Sequence, residues 1–233
     1  MDTFADDAKK YLGISFDDSA VARFSTFLTE LVAWNDRVNL TAITDPYDIT
    51  KKHFIDSLTV ISSLPKNASS LIDIGAGAGF PGLPIALTLP SLSVTLLEAT
   101  SKKVDFLNHM ITLLDIVNVT TRKNRAEEAG QDPTLRERFD VAVARAVAYL
   151  PILAEYALPL VKVGGVFIAQ KTATTDEIKD AEHAIKILGG RVKELKFVTV
   201  PGLEERHIVV IEKIGPTPQD YPRRIGVPER KPL

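Results

Sequence analysis

The 233-residue sequence contains no cysteine. Disulfides, thiolate metal sites and cysteine nucleophiles are excluded together, and the composition fits a reducing cytoplasm. Charge of one sign is also lacking: 28 Lys plus Arg stand against 30 Asp plus Glu, a net charge of −2. No global positive field grips phosphate, so any basic surface must be local. The four histidines, at 53, 109, 183 and 207, have no ligand spacing, and no metal site is expected. Runs of ~18 apolar residues are absent. The opening MDTFADDAKK has neither a basic start nor an apolar stretch, so neither a membrane span nor a signal peptide is predicted.

What is present is a hydrophobic content of 45%, enough to bury a core. Charge is unevenly spread: residues 1–50 carry four cations against nine acids, and residues 191–233 carry nine against six. Asp17 and Asp18 are cap candidates ahead of Val21, Phe24, Leu28 and Leu31, which predict an amphipathic helix. Asp45-Pro46 breaks the chain, and Phe54, Leu58 and Ile61 place a second helix over 51–61. Residues 1–65 therefore read as a helical N-terminal region, with Pro65, Asn67, Ser69 and Ser70 as a linker.

Beyond it, short apolar runs alternate with helical patterns: 71–74 then 82–89, 94–97 then 101–114, 117–120, and 139–144 then 149–161. That alternation predicts a parallel sheet wound with crossover helices, an α/β fold over residues 66–215. A strand at 166–169 precedes a helix with Thr174 and Glu177 in capping-box register. The runs 192–200 and 207–211 are joined too closely for a parallel crossover, so the sheet ends in an antiparallel hairpin. Residues 216–233 hold five of the 14 prolines and four cations, and read as an extended or docked arm.

The chemistry concentrates after the first strand, in Asp73-Ile-Gly75-Ala-Gly77-Ala-Gly79-Phe-Pro81-Gly82. Four glycines within eight residues at a strand-to-helix junction let the backbone turn sharply and approach a nucleotide-like ligand. Gly77, Gly79 and Gly82 also satisfy a dinucleotide spacing, with Glu98 21 residues after Gly77, so an NAD-type module stays open. Against it, Asp73 would repel a pyrophosphate but suits an ammonium group, and no second domain of adequate length is present for an oxidisable substrate.

DIGAGAGFPGLPIAL resembles the first motif of S-adenosylmethionine-dependent methyltransferases, and its Phe-Pro-Gly ending resembles the glucose-inhibited division protein B family, the ribosomal RNA small subunit methyltransferases G. WNDRVNLTAI, KKHFIDSLTV, LLEATSKKVDFLNHM, NRAEEAG, FDVAVARAVAYL, ERHIVVIEK and YPRRIGVPERKPL are similar to further family segments, covering residues 30–233. The resemblance implies a seven-stranded class I (Rossmann-like) sheet, S-adenosylmethionine as cofactor, and methyl transfer to N7 of a guanine in the decoding-region loop of 16S ribosomal RNA. It implies a monomeric cytoplasmic enzyme whose partner is that RNA or the small ribosomal subunit.

Carried onto this chain, the resemblance places Asp73, Gly75, Ala76, Gly77, Gly79 and Phe80 around the methionine part and Glu98 at the ribose hydroxyls. Ala126 and Glu127, within Arg125 to Glu128, line the adenine pocket through backbone groups. Arg145, past the fourth strand, faces both cofactor and acceptor as the catalytic candidate. Lys171, Arg206, Arg223, Arg224 and Lys231 are candidate RNA contacts, with Arg230 beside them and Tyr221 as a stacking surface. His53 and Asp56 read first as a capping or packing pair, although the resemblance places His53-Phe54-Ile55-Asp56 near the cofactor end, and Asn39 reads as a polar support.

The acceptor class is narrowed by chemistry. Covalent cytosine C5 methylation needs the cysteine that is missing, and ARAVAYLP replaces the Asn/Asp-Pro-Pro-aromatic loop used for amino groups. Guanine N7 has its own lone pair and no proton, so in-line attack needs alignment and electrostatics but no base. A small-molecule methyltransferase remains the alternative enzyme reading.

Overall fold

The computed structural model describes residues 1–145, 148–172 and 175–233. The chain opens with α1 (Asp2–Asp7), which continues as a π turn over Ala8–Leu12, and α2 (Asp18–Val38). Asp17 caps α2 as predicted, its side chain accepting from the Ala20 N–H at 2.7 Å. The buried face of α2 is Phe24, Phe27 and Leu31, so Phe27 joins the predicted stripe while Val21 and Leu28 sit at its margin. Asp45-Pro46 starts a helix as well as breaking the chain: Asp45 caps α3 (Pro46–Ile49), which runs on through a π segment Thr50–Ile55, α4 (Asp56–Leu58) and a 3-10 turn Thr59–Ser63. Proline is tolerated there because the first helical N–H has no partner to lose.

The sheet comprises β1 (Ser70–Ile74), β2 (Ser93–Leu97), β3 (Val119–Arg122), β4 (Phe139–Arg145), β5 (Val161–Lys171), β6 (Gly190–Val198) and β7 (Arg206–Lys213) in the order 3-2-1-4-5-7-6. The first five strands are parallel, and β7 runs antiparallel between β5 and β6, pairing Ile168 with Val210 and Val192 with Ile211. The predicted hairpin is present, and its second strand is the one that inserts. Helices α5 (Gly82–Thr88) and α6 (Ser101–Leu113) cover one face, and α7 (Ala126–Gln131), α8 (Leu150–Ala157) and α9 (Thr175–Ile187) the other.

Strand alternation divides the core. Leu71, Val141 and Val143 pack with Phe24, Phe27, Phe54 and Phe80, whereas Ile72, Ala142 and Ala144 pack with Leu150, Leu153 and Ile185. Both faces are covered, which is why these parallel strands read as continuous apolar runs. The N-terminal helices thus share one aromatic cluster with the sheet, through Phe27 stacked on Phe80 at 5.4 Å and Phe54 against Phe24 at 5.3 Å.

Several boundaries differ from the sequence reading; β6, for one, runs Gly190–Val198 and not 192–200. Strand β3 starts at Val119, not Val117, which is 91% exposed; Asn118 holds the Leu92 carbonyl at 2.9 Å and delays the ladder. Helix α8 ends at Ala157 rather than 161: Leu158 still has helical dihedrals, but Pro159 has no N–H with which to continue the ladder. Ser69 and Ser70 are not linker: their N–H and hydroxyl groups bind the Asp140 carboxylate at 2.9–3.0 Å and tie β1 to β4. The Thr174 half of the predicted capping box lies outside the described residues. No described helix is long and apolar enough to cross a membrane.

Candidate cofactor pocket and acceptor cleft

The glycine loop leaves β1 and is tied down from two sides. The Gly75 and Ala76 N–H groups donate to the Leu97 carbonyl at 2.9 and 3.0 Å, and Asp73 Oδ2 accepts from the Gly82 N–H at 2.8 Å. At Gly82 a Cβ would lie 2.4 Å from Leu96 and 2.8 Å from Asp73, so only glycine lets α5 approach the sheet this closely. Gly77, at φ 58°, has open space where a side chain would point. Asp73 is fully buried, its Oδ1 lacks a hydrogen-bond partner, and burial pushes its carboxyl up to about 7 against the opposing pull of Gly82 N–H. Beyond the ammonium role expected of it, Asp73 holds the glycine loop.

Glu98, just past β2, accepts from Gly77 N–H at 3.0 Å and Thr100 N–H at 2.7 Å, one bond per oxygen. Its carboxylate shapes the loop and still has lone pairs for a ligand. It lines a cavity of about 390 Å³ together with Gly75, Arg125, Ala126, Glu127, Arg145, Tyr156 and Glu229. These residues fit adenosylmethionine: a glycine cradle and a buried carboxylate with spare acceptor capacity, with the unpartnered Asp73 oxygen buried behind the loop. Ala76, Gly77, Gly79 and Phe80 build the adjoining loop. Phe80 is not free to stack on a ligand, being packed between Phe27 and His53 at ring separations of 5.4 and 4.6 Å.

Arg145 ends β4 and lines this cavity as well as a second one of about 740 Å³, shared with His53, Asp56, Gln170, Lys171 and Arg206. Its Nη1 donates to Asp56 Oδ2 at 3.0 Å, and its guanidinium lies 5.0 Å over the Phe80 ring. Asp56, only 1% exposed, accepts from Arg206 Nε and from Gln170 Nε2 on its other oxygen. One buried carboxylate therefore holds the ends of β4, β5 and β7 together. These contacts make Asp56 a partner of Arg145 and not a helix cap, and both Asp56 and the packed His53 line the cleft. His53 stacks on Phe80 and spans Thr41 Oγ1 (2.7 Å) and Arg145 Nη2 (3.2 Å). Burial, followed by the Arg145 charge, pushes its imidazole down to about 4, so it is neutral at physiological pH.

Asn39 is a left-handed helix cap, and the polar support is Asn35 four residues earlier. Asn35 Oδ1 accepts from the Leu40 and Thr41 N–H groups at 2.7 and 2.9 Å, setting Thr41 against His53. Neither Asn35 nor Tyr156 was singled out in the sequence. Asn35 does sit in WNDRVNLTAI, whereas no local signal marks Tyr156, whose hydroxyl lies 3.3 Å from Glu127 and 3.4 Å from Glu229. Burial and those carboxylates raise its phenol well above the ordinary value.

The predicted RNA contacts separate. Arg206 faces the second cavity. Lys171 is at the cleft edge but is latched to the Ala148 carbonyl and Glu177, each at 2.8 Å. Arg223 is a tail anchor and not a free cation: it grips the fully buried Glu155 through Nε at 2.8 Å and Nη2 at 2.6 Å. Tyr221 likewise belongs to the docked tail, its carbonyl held by Arg136 and its ring against the second apolar cluster. Arg224 and Lys231 are exposed. Among the described residues no cluster of His, Asp and Glu could hold a metal ion.

Comparison with known proteins fits this geometry. Residues 20–209 match the family model described as GidB, rRNA small subunit methyltransferase G. The chain belongs to that family. It is 50% identical to the ribosomal RNA small subunit methyltransferase G of Roseiflexus sp. (strain RS-1), covering 100% of both chains. It is 48% identical to the Roseiflexus castenholzii protein of the same name, over 95% of each. Among solved structures, M. jannaschii TYW2 in complex with AdoMet aligns with a TM-score of 0.53 at 18% identity, covering 68% of this chain and 75% of that one. That likeness shows the fold, and the two Roseiflexus relatives align with 95% or more of this chain.

Proposed function

We propose that this protein transfers a methyl group from S-adenosylmethionine to N7 of a guanine in the decoding-region loop of 16S ribosomal RNA. The observation that carries the reading is Arg145, which stands in the wall common to the two cavities. The smaller cavity takes the cofactor and the larger one the base. A bound sulfonium supplies an electrophilic methyl group, leaving the protein to align it with the nucleophile.

Glu98 accepts the ribose hydroxyls while keeping its hold on Gly77 and Thr100. Backbone groups of Ala126 and Glu127 would border the adenine, and Asp73, buried behind the loop, would favour the cationic end in its ionised form. Arg145 donates to guanine O6, which lies on the same base edge as N7. An adenine would present an amino donor there and leave the guanidinium without an acceptor. Asp56 offsets the Arg145 and Arg206 charges, so the pair orients the base without strongly repelling a cationic methyl group. N7 carries no proton and needs no base, and His53, the histidine among the described residues of the cleft lining, is a poor one with its imidazole pushed down to about 4. Holding N7 and the methyl in near-attack geometry contributes several kcal/mol of the order of ~7 or more in favourable systems. Arg206, with exposed Arg224 and Lys231, contacts RNA phosphates, while shape and further contacts come from the small subunit.

Calorimetric titration with adenosylmethionine and with NADH, followed by methyl transfer to small subunits, tests this reading. Binding of adenosylmethionine alone, with Arg145→Ala losing transfer far more than cofactor affinity, is expected. Binding of NADH alone overturns the cofactor assignment.

A further inference from the structure

We propose that the C-terminal tail is part of the cofactor site, and that the Glu229 carboxylate reads the exocyclic amino group of the adenine ring. This rests on the cofactor assignment above and assigns to the tail a task other than RNA binding.

The tail is fixed by many contacts. Arg136 donates to the carbonyls of Thr217, Pro218 and Tyr221, and Gln131 to those of Gln219 and Pro222. The Gly226 N–H donates to Glu127 Oε1 at 3.0 Å, joining the tail directly to the residue that borders the predicted adenine position. The short helix α10 (Val227–Arg230) then brings Glu229 into the lining of the cofactor cavity.

Strand order places the adenine at this end. The sheet runs 3-2-1-4, so a ligand whose amino-acid part sits on the loop after β1 and whose ribose meets Glu98 after β2 extends its base toward the segment after β3. That segment holds Ala126 and Glu127, and Glu229 faces it across Tyr156. The Tyr156 hydroxyl has one proton for two carboxylates, and Glu127 already accepts from Gly226. Glu229, which shares the single Tyr156 proton with Glu127, retains acceptor capacity. An adenine amino group supplies a donor to it, whereas a purine without that group leaves the exposed carboxylate to water.

The test compares binding of S-adenosylhomocysteine with that of its 6-deamino purine counterpart by calorimetry, in the full-length protein and in Glu229→Ala and Glu229→Gln. The wild type is expected to prefer the adenine form by about fivefold, as for one solvent-accessible hydrogen bond. Glu229→Ala reduces the preference to within about twofold, and Glu229→Gln, which keeps an acceptor oxygen, retains part of it. Equal binding of both ligands by the wild type, or an unchanged preference in Glu229→Ala, overturns the proposal and leaves the cofactor assignment standing. No binding of either ligand by the wild type overturns both. Unfolding curves confirm that the variants are folded, as expected for an exposed side chain.

Discussion

Asp56 is the residue on which the acceptor cleft turns, because three strand ends meet its buried carboxylate. Asp56→Asn removes the charge opposing two guanidiniums, and kcat for methyl transfer is expected to fall by roughly 100-fold as Arg145 loses its orientation. Cofactor affinity should change little, and a loss confined to that affinity contradicts the assignment. The pH profile separates two other groups. With His53 held near 4 and N7 needing no base, kcat at saturating cofactor should be flat between roughly pH 5.5 and 8.5. Asp73, raised to about 7, loses its proton as pH rises through neutrality. Affinity for the cationic cofactor should therefore tighten across that window, and Asp73→Asn should flatten the dependence. The same raised value favours the native fold at pH below the ordinary carboxylate range, a contribution lost as pH rises to about 7. Glycine spacing and strand-end position made Asp73, Glu98 and Arg145 legible in the sequence. Asp56 was not, since its partners Arg145, Gln170 and Arg206 are 89, 114 and 150 residues away.

Among the elements, the tail decides between two readings that its composition left open. Prolines with four cations read as an extended or docked arm, and it is docked: Arg223 and Tyr221, offered as RNA contacts, face inward because Glu155 is fully buried on α8 and needs a partner. Nothing local in LPILAEYA shows that Glu155 points inward. Arg223→Ala should destabilise the fold by about 3 kcal/mol, measured by denaturant unfolding, because it strands a buried carboxylate with only a backbone donor. Stability unchanged within about 0.5 kcal/mol would return Arg223 to the solvated surface. Strands β1, β2 and β4 were readable to within a residue because burial on both faces leaves uninterrupted apolar runs. Boundaries set by tertiary contacts, such as the start of β3 at Asn118, were not.

For the whole molecule, function follows from how the two apolar clusters clamp the sheet and leave its carboxyl edge open. The N-terminal helices deliver His53 and Asp56 to one side of Arg145, and the tail delivers Glu229 near the other. Topology explains why the edge is the site: strand order reverses direction at β1, and open α/β sheets bind ligands there. The near-neutral net charge of −2 predicts that isolated RNA is a poor substrate and that the assembled subunit supplies the missing contacts. The central claim is tested most directly by transferring labelled methyl from adenosylmethionine to small ribosomal subunits from cells lacking this protein, beside protein-stripped 16S RNA, and identifying the labelled nucleotide. The account predicts 7-methylguanosine in the decoding-region loop, formed faster on the subunit. Label on another atom or nucleotide, or none on either RNA while the cofactor still binds, would contradict it.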